Sequence, residues 1–447
     1  MSQRRPISSV GKWSVLVLGA CFALCADLRA QDHPEPASFR SAFEAQFPKS
    51  EASAAALELE RLAAALGFEL APFETQPDPD RAETTPGDAS EPAVFALKVE
   101  KQRPRPSPEA KASLQAVSGM IGQFLDRELK TPEERIGPLP SWLQSFLEEH
   151  DAAAAALEST LVRRSDLRWE MDVSQGPNAP ISNLGGIMRL QRFLGVRALA
   201  KARRGETDAA LQALEAAWRS NEAVSARPEL ISQLISVAAA KITVGVLRKL
   251  DSPAYGWADR LRGGDLFSAY LASFQNQVWY SSDIRDLTGE AGAYGRVLRN
   301  VAEEFEQRDL CSWTPDRMQE SWNRAVQNES RDGALIEMAV PNLLESFARW
   351  RRFQIDAELT ALVLDARAER AASRRRDWPS KLHSIGASVC PGEPWTYRNA
   401  GNGTATFAFE GRITESPSAA LRLPLGFTAG TPRAPAPRAP KSTSRKD

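Results

Sequence analysis

The chain has 447 residues, of which 43% are hydrophobic and 25% charged, the balance of a globular protein with a sizeable core. Its 56 basic residues nearly cancel 57 acidic ones, so no global positive field exists to collect phosphates, and no nucleic-acid partner is expected. With only 5 Tyr among 447 residues and abundant Ala and Arg, the composition favours helix over sheet.

At the N-terminus, Arg4, Arg5 and Lys12 lead into the apolar run Ser14–Ala26, followed by Leu28-Arg29-Ala30. This is the pattern of a secretory signal peptide over residues 1–30, cut after Ala30 or, second, after Ala26. The apolar run is shorter than the roughly 20 residues that a membrane-spanning helix needs. A lipoprotein variant of the same reading uses Leu18-Gly19-Ala20 before Cys21. Removing residues 1–30 leaves 52 basic and 56 acidic residues, a formal charge of −4. The expectation is an exported protein, periplasmic or secreted. Cys21 and Cys25 go with the signal, leaving Cys311 and Cys390 as candidates for a disulfide in an oxidising compartment. Closing that loop of about 80 residues would stabilise the fold by roughly 4 kcal/mol; the alternative is two separate buried thiols. Neither cysteine sits in a CxxC pair, which disfavours thiol redox chemistry and zinc.

Helical patterns follow at Ser38–Phe47 and Glu51–Gly67, giving an N-terminal helical segment over 38–71. The stretch 72–106 is rich in Pro and acidic residues and reads as a linker, with Val94–Val99 as a short strand or extended arm. A helical body spans 107–376. Ser107-Pro108 opens it as cap and first residue, with Leu114, Val117, Ile121, Phe124 and Leu125 at helical spacing. A second helix starts at Ser141 and runs to Leu161, with His150 among Glu148, Glu149 and Asp151 on a solvated face.

Leu184–Leu250 reads as three consecutive helices around which the rest is organised. Leu184, Ile187, Leu190, Leu194 and Ala198 form a stripe, Arg204-Gly205-Glu206 a turn, and Asp208–Trp218 opens the partner helix. With Ala198, Leu199, Ala202, Gly205, Ala209, Ala210, Leu211, Leu214 and Ala217, this stretch resembles one tetratricopeptide-type hairpin; no second copy follows at that period. The third helix, Pro228–Leu250, has only Lys241 as a charge between Leu230 and Leu247, so it must be enclosed by other helices or by lipid. Its interruptions by Ser232, Gln233, Ser236 and Thr243 favour burial in protein, and no transmembrane helix is expected after signal removal.

Further helices are expected after Asp265, at Tyr294–Phe305, from Thr314-Pro315, and from about Pro341 to Arg376. The last ends in Arg367, Arg370, Arg374, Arg375 and Arg376, explained by the helix dipole or, more sharply, as a patch for an anionic ligand. Residues 377–411 change character: Trp395–Arg398 and Thr404–Phe409 around an Asn/Gly turn signal a β-hairpin. The long helix, Trp378-Pro379, Pro394-Trp395-Thr396-Tyr397 and the strand ending Glu410-Gly411 resemble the C-terminal half of type II secretion major pseudopilins. That resemblance implies a reused helix-plus-hairpin cap; the prepilin cleavage site and the acidic calcium set of that family are missing here. Similar combinations occur in uncharacterised secreted bacterial helical proteins, and this likeness implies no activity. Residues 412–447 carry seven basic and two acidic residues among Pro and Ala, a disordered tail able to touch anionic envelope polymers weakly.

The fold expected is mainly α, a multi-helix bundle or irregular array of helical hairpins with a small C-terminal β-hairpin. His33, His150 and His383 are too scattered for a histidine metal site, and no phosphate loop, dinucleotide fingerprint or nucleophile elbow is present, so no metal or cofactor is expected. The densest polar group near aromatics is Asp283, Asp286 and Glu290 beside Trp279 and Tyr280. A carboxylate pair there could act on a glycan; equally, Ser281-Ser282-Asp283 is how one helix ends and the next is capped. The functional expectation is a non-enzymatic interaction or structural component of the cell envelope with a protein or peptide partner. The alternative is a cell-wall glycan hydrolase or lyase using those carboxylates.

Overall fold

Hydroxyl and amide side chains set several helix starts. Ser53 accepts from the Ala56 N–H at 3.2 Å to open one helix (Ala54–Ala65), and Ser107 accepts from Ala110 at 3.2 Å ahead of another (Pro108–Lys130). The computed structural model describes residues 36–72, 103–263, 270–277, 297–298, 300–301, 303–304, 314–329, 334–387, 394–411, 413 and 421–432. The protein is mainly helical, with one small antiparallel sheet near the C-terminus.

The chain divides into two compact units, Met1–Phe47 and Pro48–Asp447. In the first, the described residues form helix α1 (Pro36–Gln46), with the Phe43 and Phe47 rings 4.9 Å apart. The second opens with α2 (Ala54–Ala65) and continues through α3 (Pro108–Lys130), α4 (Ser141–Glu149) and α5 (Asp151–Arg163). Thus residues 48–71, read from sequence as part of a separate N-terminal segment, belong to the main unit: α2 packs on α5, and Ser50 pairs with Met171 as an isolated bridge. The helix expected over Ser141–Leu161 is two. The break falls at His150, whose φ of −102° and ψ of 9° leave the helical path and whose ring lies tilted against Phe146, with centroids 4.4 Å apart.

The hub is α6 (Leu184–Arg203), α7 (Thr207–Ser225) and α8 (Leu230–Lys249). Gly205 adopts a φ of +81° in the α6–α7 turn, a conformation open to glycine and strained for other residues. α8 packs against α3, α6, α7 and the long helix Ala334–Ala372, and polar Ser232, Thr243 and Lys241 are buried with it. Among the described residues it is the one helix long and apolar enough to cross a membrane, yet 72% of its apolar window is buried within the protein. Close packing in the hub depends on small residues. A Cβ on Gly195 would stand 2.8 Å from Ile242 Cγ2, and one on Gly186 would stand 1.8 Å from the Glu69 carbonyl oxygen.

Beyond the hub come α9 (Trp257–Gly263), helical residues at 270–277, 297–298, 300–301 and 303–304, and α10 (Pro315–Glu329). The long α11 (Ala334–Ala372) packs on α8, α9 and α10. It begins seven residues earlier than Pro341, the start read from sequence: proline lacks one N–H, and a helix already running can pass through it at the loss of that bond. Three strands follow, β1 (Trp395–Asn399), β2 (Ala405–Phe409) and β3 (Gly426–Ala429), in the order β1-β2-β3, all antiparallel. The register sets Trp395 opposite Phe409 and Phe407 between Tyr397 and Phe427, and this apolar face packs with Trp378 and Leu382 on Ile355–Ala366 of α11.

β3 corrects two expectations: the hairpin is a three-stranded sheet, and residues 421–430 are not part of a solvated tail. The strand signal was an alternation, Leu421, Leu423, Leu425 and Phe427, hidden in a stretch whose overall composition is Pro- and Arg-rich. Leu423, Phe427 and Ala429 are buried. The signal segment at residues 1–30 with Cys21, the Val94–Val99 arm and the end of the tail from 433 lie outside the described residues.

The glycine contacts give an expectation with an internal control. Gly186→Ala forces a methyl group into a backbone carbonyl and should lower stability by about 2–3 kcal/mol. Gly119→Ala, in α3 with nothing within 4 Å of the added carbon, should instead raise it by roughly 0.5–1 kcal/mol. Urea midpoints of the two variants check both signs.

Candidate functional site

At the C-terminal end of α8, four buried cations, Arg248, Lys249, Arg352 and Arg367, converge on main-chain oxygens. Arg248 donates from Nε to Thr360 Oγ1 at 2.7 Å, from Nη1 to the Pro424 carbonyl at 3.0 Å and from Nη2 to the Asp356 carbonyl at 2.5 Å. Asp356 Oδ1 stands 3.3 Å from Nη2, and Arg352 reaches Oδ2 of the same carboxylate at 3.4 Å while donating to the Leu423 carbonyl. Burial pulls the Arg248 pKa below its ordinary value, and Asp356 pulls it back. Arg367 donates to the carbonyls of Leu247 at 3.1 Å, which also accepts from the Leu250 N–H, and of Arg248 at 2.6 Å, in the last turn of α8, and pairs with Glu134 Oε2 at 3.2 Å. Glu134 Oε2 also accepts from Gly430 N at 2.6 Å, and Thr428 exchanges backbone bonds with Pro132 and Glu134. Lys249 caps the end of α3, donating to the Thr131 carbonyl at 3.1 Å, to Thr131 Oγ1 and to the Glu133 carbonyl at 2.5 Å. Burial lowers its amine to about 8 against the pull of Glu128, Glu133 and Glu134. These groups join α3, α8, α11 and β3; their chemistry is structural.

Other buried charges are committed in the same way. Glu158 on α5 accepts from Arg197 Nε and Lys201 Nζ on α6, each at 2.7 Å. Arg227 pairs with Glu229 and donates to the carbonyls of Glu170 at 2.6 Å and Pro180 at 2.7 Å. Burial raises the Glu60 carboxyl although Arg103 donates to it at 2.8 Å. For Asp172 burial also raises the pKa, but hydrogen bonds from Lys49, Ser174 and Gln175 outweigh it and hold the group at about 2.

A different arrangement occupies the surface where α11 ends and α9 begins. The helix stops at Ala372, so only Arg370 lies in its last turn, where the dipole favours a cation. Arg370 sits 4.7 Å over the Trp378 ring and 3.4 Å from Asp251. Arg374, Arg375 and Arg376 come after the helix, are exposed, and make no ion pair among the described residues. Arg376 holds a φ of +51°. On the adjoining loop, Ala254 holds a φ of +42° and Tyr255 is 76% exposed, the most exposed large hydrophobic side chain among the described residues. Antiparallel packing of α9 along α11 is marked by the Arg262–Asp365 and Asp251–Arg370 pairs. Sequence reading found Arg370, Arg374, Arg375 and Arg376 and missed Tyr255, although Pro253-Ala254-Tyr255-Gly256 carries a turn signal around an aromatic residue.

Asp283, Asp286 and Glu290, and both Cys311 and Cys390, lie outside the described residues. His150 and His383 are far apart in the chain, and no group of three or more His, Cys, Asp or Glu side chains among the described residues is placed to hold a metal ion. No family model, no curated protein and no solved structure matches the chain.

Two outcomes follow from the buried cations. Arg248→Ala leaves Asp356 with Arg352 as its remaining cation, strands the Pro424 carbonyl and empties a buried site, and should destabilise by about 3–5 kcal/mol in denaturant unfolding, whereas exposed Arg375→Ala should change stability by less than about 0.5 kcal/mol. Because the folded protein releases the Lys249 proton near pH 8 and the unfolded chain near 10.5, the unfolded state binds more protons between them, and stability contributed by this site rises with pH there. The stability difference between the parent and Lys249→Met should therefore shift in the parent's favour from pH 7.5 to 9.5.

Proposed function

We propose that this is an exported, non-enzymatic helical protein of the bacterial cell envelope, built as a rigid support for a binding surface. One observation carries the reading: the buried charges at the α8 junction are bonded to backbone carbonyls and to one another, while arginines without carboxylate partners stand on the surface. A catalytic centre needs titratable groups aimed at an open site, and the charge network of the junction is aimed at holding segments together. Export is supported by the basic, apolar and small-residue pattern of residues 1–30. A protein or peptide partner suits a body of packed helices whose hairpin resembles a tetratricopeptide unit. Type II secretion pseudopilins supply the likeness for the long helix and the strands, as a scaffold and without their assembly function.

The reading is tested by fractionating a bacterium that makes the full chain with a C-terminal tag. The expected result is a product shortened at its N-terminus and recovered with the periplasm or medium. An unprocessed product in the cytoplasm would overturn it.

A further inference from the structure

We infer that the outer edge of β1 takes an extended peptide as a further antiparallel strand, with a carboxylate of that peptide set opposite Arg398. This rests on the reading of a protein or peptide partner, and assigns that partner a site and a chemistry.

The register shows which backbone groups are open. Glu410 N donates to the Pro394 carbonyl at 2.9 Å and Ala400 N to the Thr404 carbonyl at 3.0 Å, so residues 394, 396, 398 and 400 turn their main-chain groups toward β2. Trp395, Tyr397 and Asn399 therefore turn theirs away from the sheet, and these N–H and C=O groups have no main-chain partner among the described residues. The opposite edge is closed: Thr428 N donates to the Pro132 carbonyl at 2.7 Å, and Glu134 N donates to the Thr428 carbonyl at 3.1 Å. Exposed edges are usually covered or blunted, and this sheet covers β3 while leaving β1.

The open edge is also held in shape. On the core face, Tyr397 Oη donates to the Pro379 carbonyl at 2.7 Å, Asn399 Nδ2 donates to the Trp378 carbonyl at 2.8 Å, and the Trp395 ring lies 4.9 Å from that of Phe409. β1 is thus extended before any partner arrives, which lowers the ordering cost of adding a strand.

Charge selects the occupant. Thr396 and Arg398 alternate with the core-facing residues and are exposed. Arg398 is in register with Thr406, and Thr406 with Thr428, so the strands beside it supply no acid, and it makes no ion pair among the described residues. On the outer side Arg398 occupies a non-hydrogen-bonded site, where opposed side chains come closest. A second copy of β1 paired antiparallel about Tyr397 would set Thr396 against Arg398 and leave the two arginines on one diagonal, like charge beside like. A strand carrying an acid opposite Arg398 gives that cation its partner.

The probe is a fluorescein-labelled heptapeptide that alternates valine with threonine, glutamate replacing the central threonine, titrated into the full chain by fluorescence anisotropy. Binding is expected, and at saturation hydrogen exchange of the Tyr397 amide should slow about tenfold, while that of the Arg398 amide, already facing β2, should not change. With glutamate opposite Arg398, the two flanking valines turn their N–H groups to β1. N-methylating those valines should therefore weaken binding at least roughly tenfold, and N-methylating the glutamate should leave it within about twofold. Exchanging the glutamate for lysine should weaken it about fivefold, and Arg398→Glu should reverse that order. Arg398 is exposed, so the variant's thermal midpoint should match the parent. No binding, equal losses from both N-methylation patterns, an unchanged order in Arg398→Glu, or a dimer that protects the Tyr397 amide without peptide would each overturn the inference. Any of these leaves export standing, and a cytoplasmic product would leave the peptide result standing.

Discussion

A guanidinium without access to water has to place its protons on protein acceptors, and Arg248 places them on two segments that are distant in sequence. Its partners are Thr360 and Asp356 on α11 and the Pro424 carbonyl just before β3. Removing such a charge from water costs several kcal/mol, so the position is tenable only if all of these acceptors are present together. The result is conditional assembly: the end of α8, the middle of α11 and residues 421–430 hold their places jointly. Arg367 and Lys249 extend the same condition to the ends of α8 and α3, where helix carbonyls would otherwise be buried without donors. A late segment of the chain is thereby made part of the main unit.

This explains how a helix as apolar as α8 can end inside the protein. Along most of its length it needs only apolar and small neighbours, which α6, α7 and α3 supply. Its last turn carries Arg248 and Lys249, two side chains that in a membrane helix would seek water at the interface. Here they are buried and bonded to the segments that surround the helix end. The same interactions orient the end of α11, and so the Arg370 stack on Trp378 and the arginine turn that follows it.

Much of this was legible in the amino-acid order where local chemistry decides the outcome. Ser53 and Ser107 announce helix starts, Gly205 a turn, and the period of apolar residues from Leu184 to Leu250 three helices. What could not be read depends on partners far along the chain. Glu158, Arg197 and Lys201 look like solvated charges until α5 and α6 meet. β3 was obscured because a four-residue strand in Pro- and Arg-rich surroundings has no composition of its own, and it is held by residues 132–134 as well as by β2. His150 broke a helix that periodicity alone would continue. At the surface, the arginine run was visible as a cluster, but that Arg374, Arg375 and Arg376 lie past the helix end appears only in three dimensions.

The central claim is that the cation junction makes β3 an integral part of the fold. Native-state hydrogen exchange of the Thr428 and Gly430 amides, bonded to the Pro132 carbonyl and to Glu134, addresses it most directly. The account predicts that they exchange only through global unfolding, at the same free energy as the most protected amides of α8. Exchange of Thr428 and Gly430 through a low-energy local opening, with α8 still protected, would contradict it.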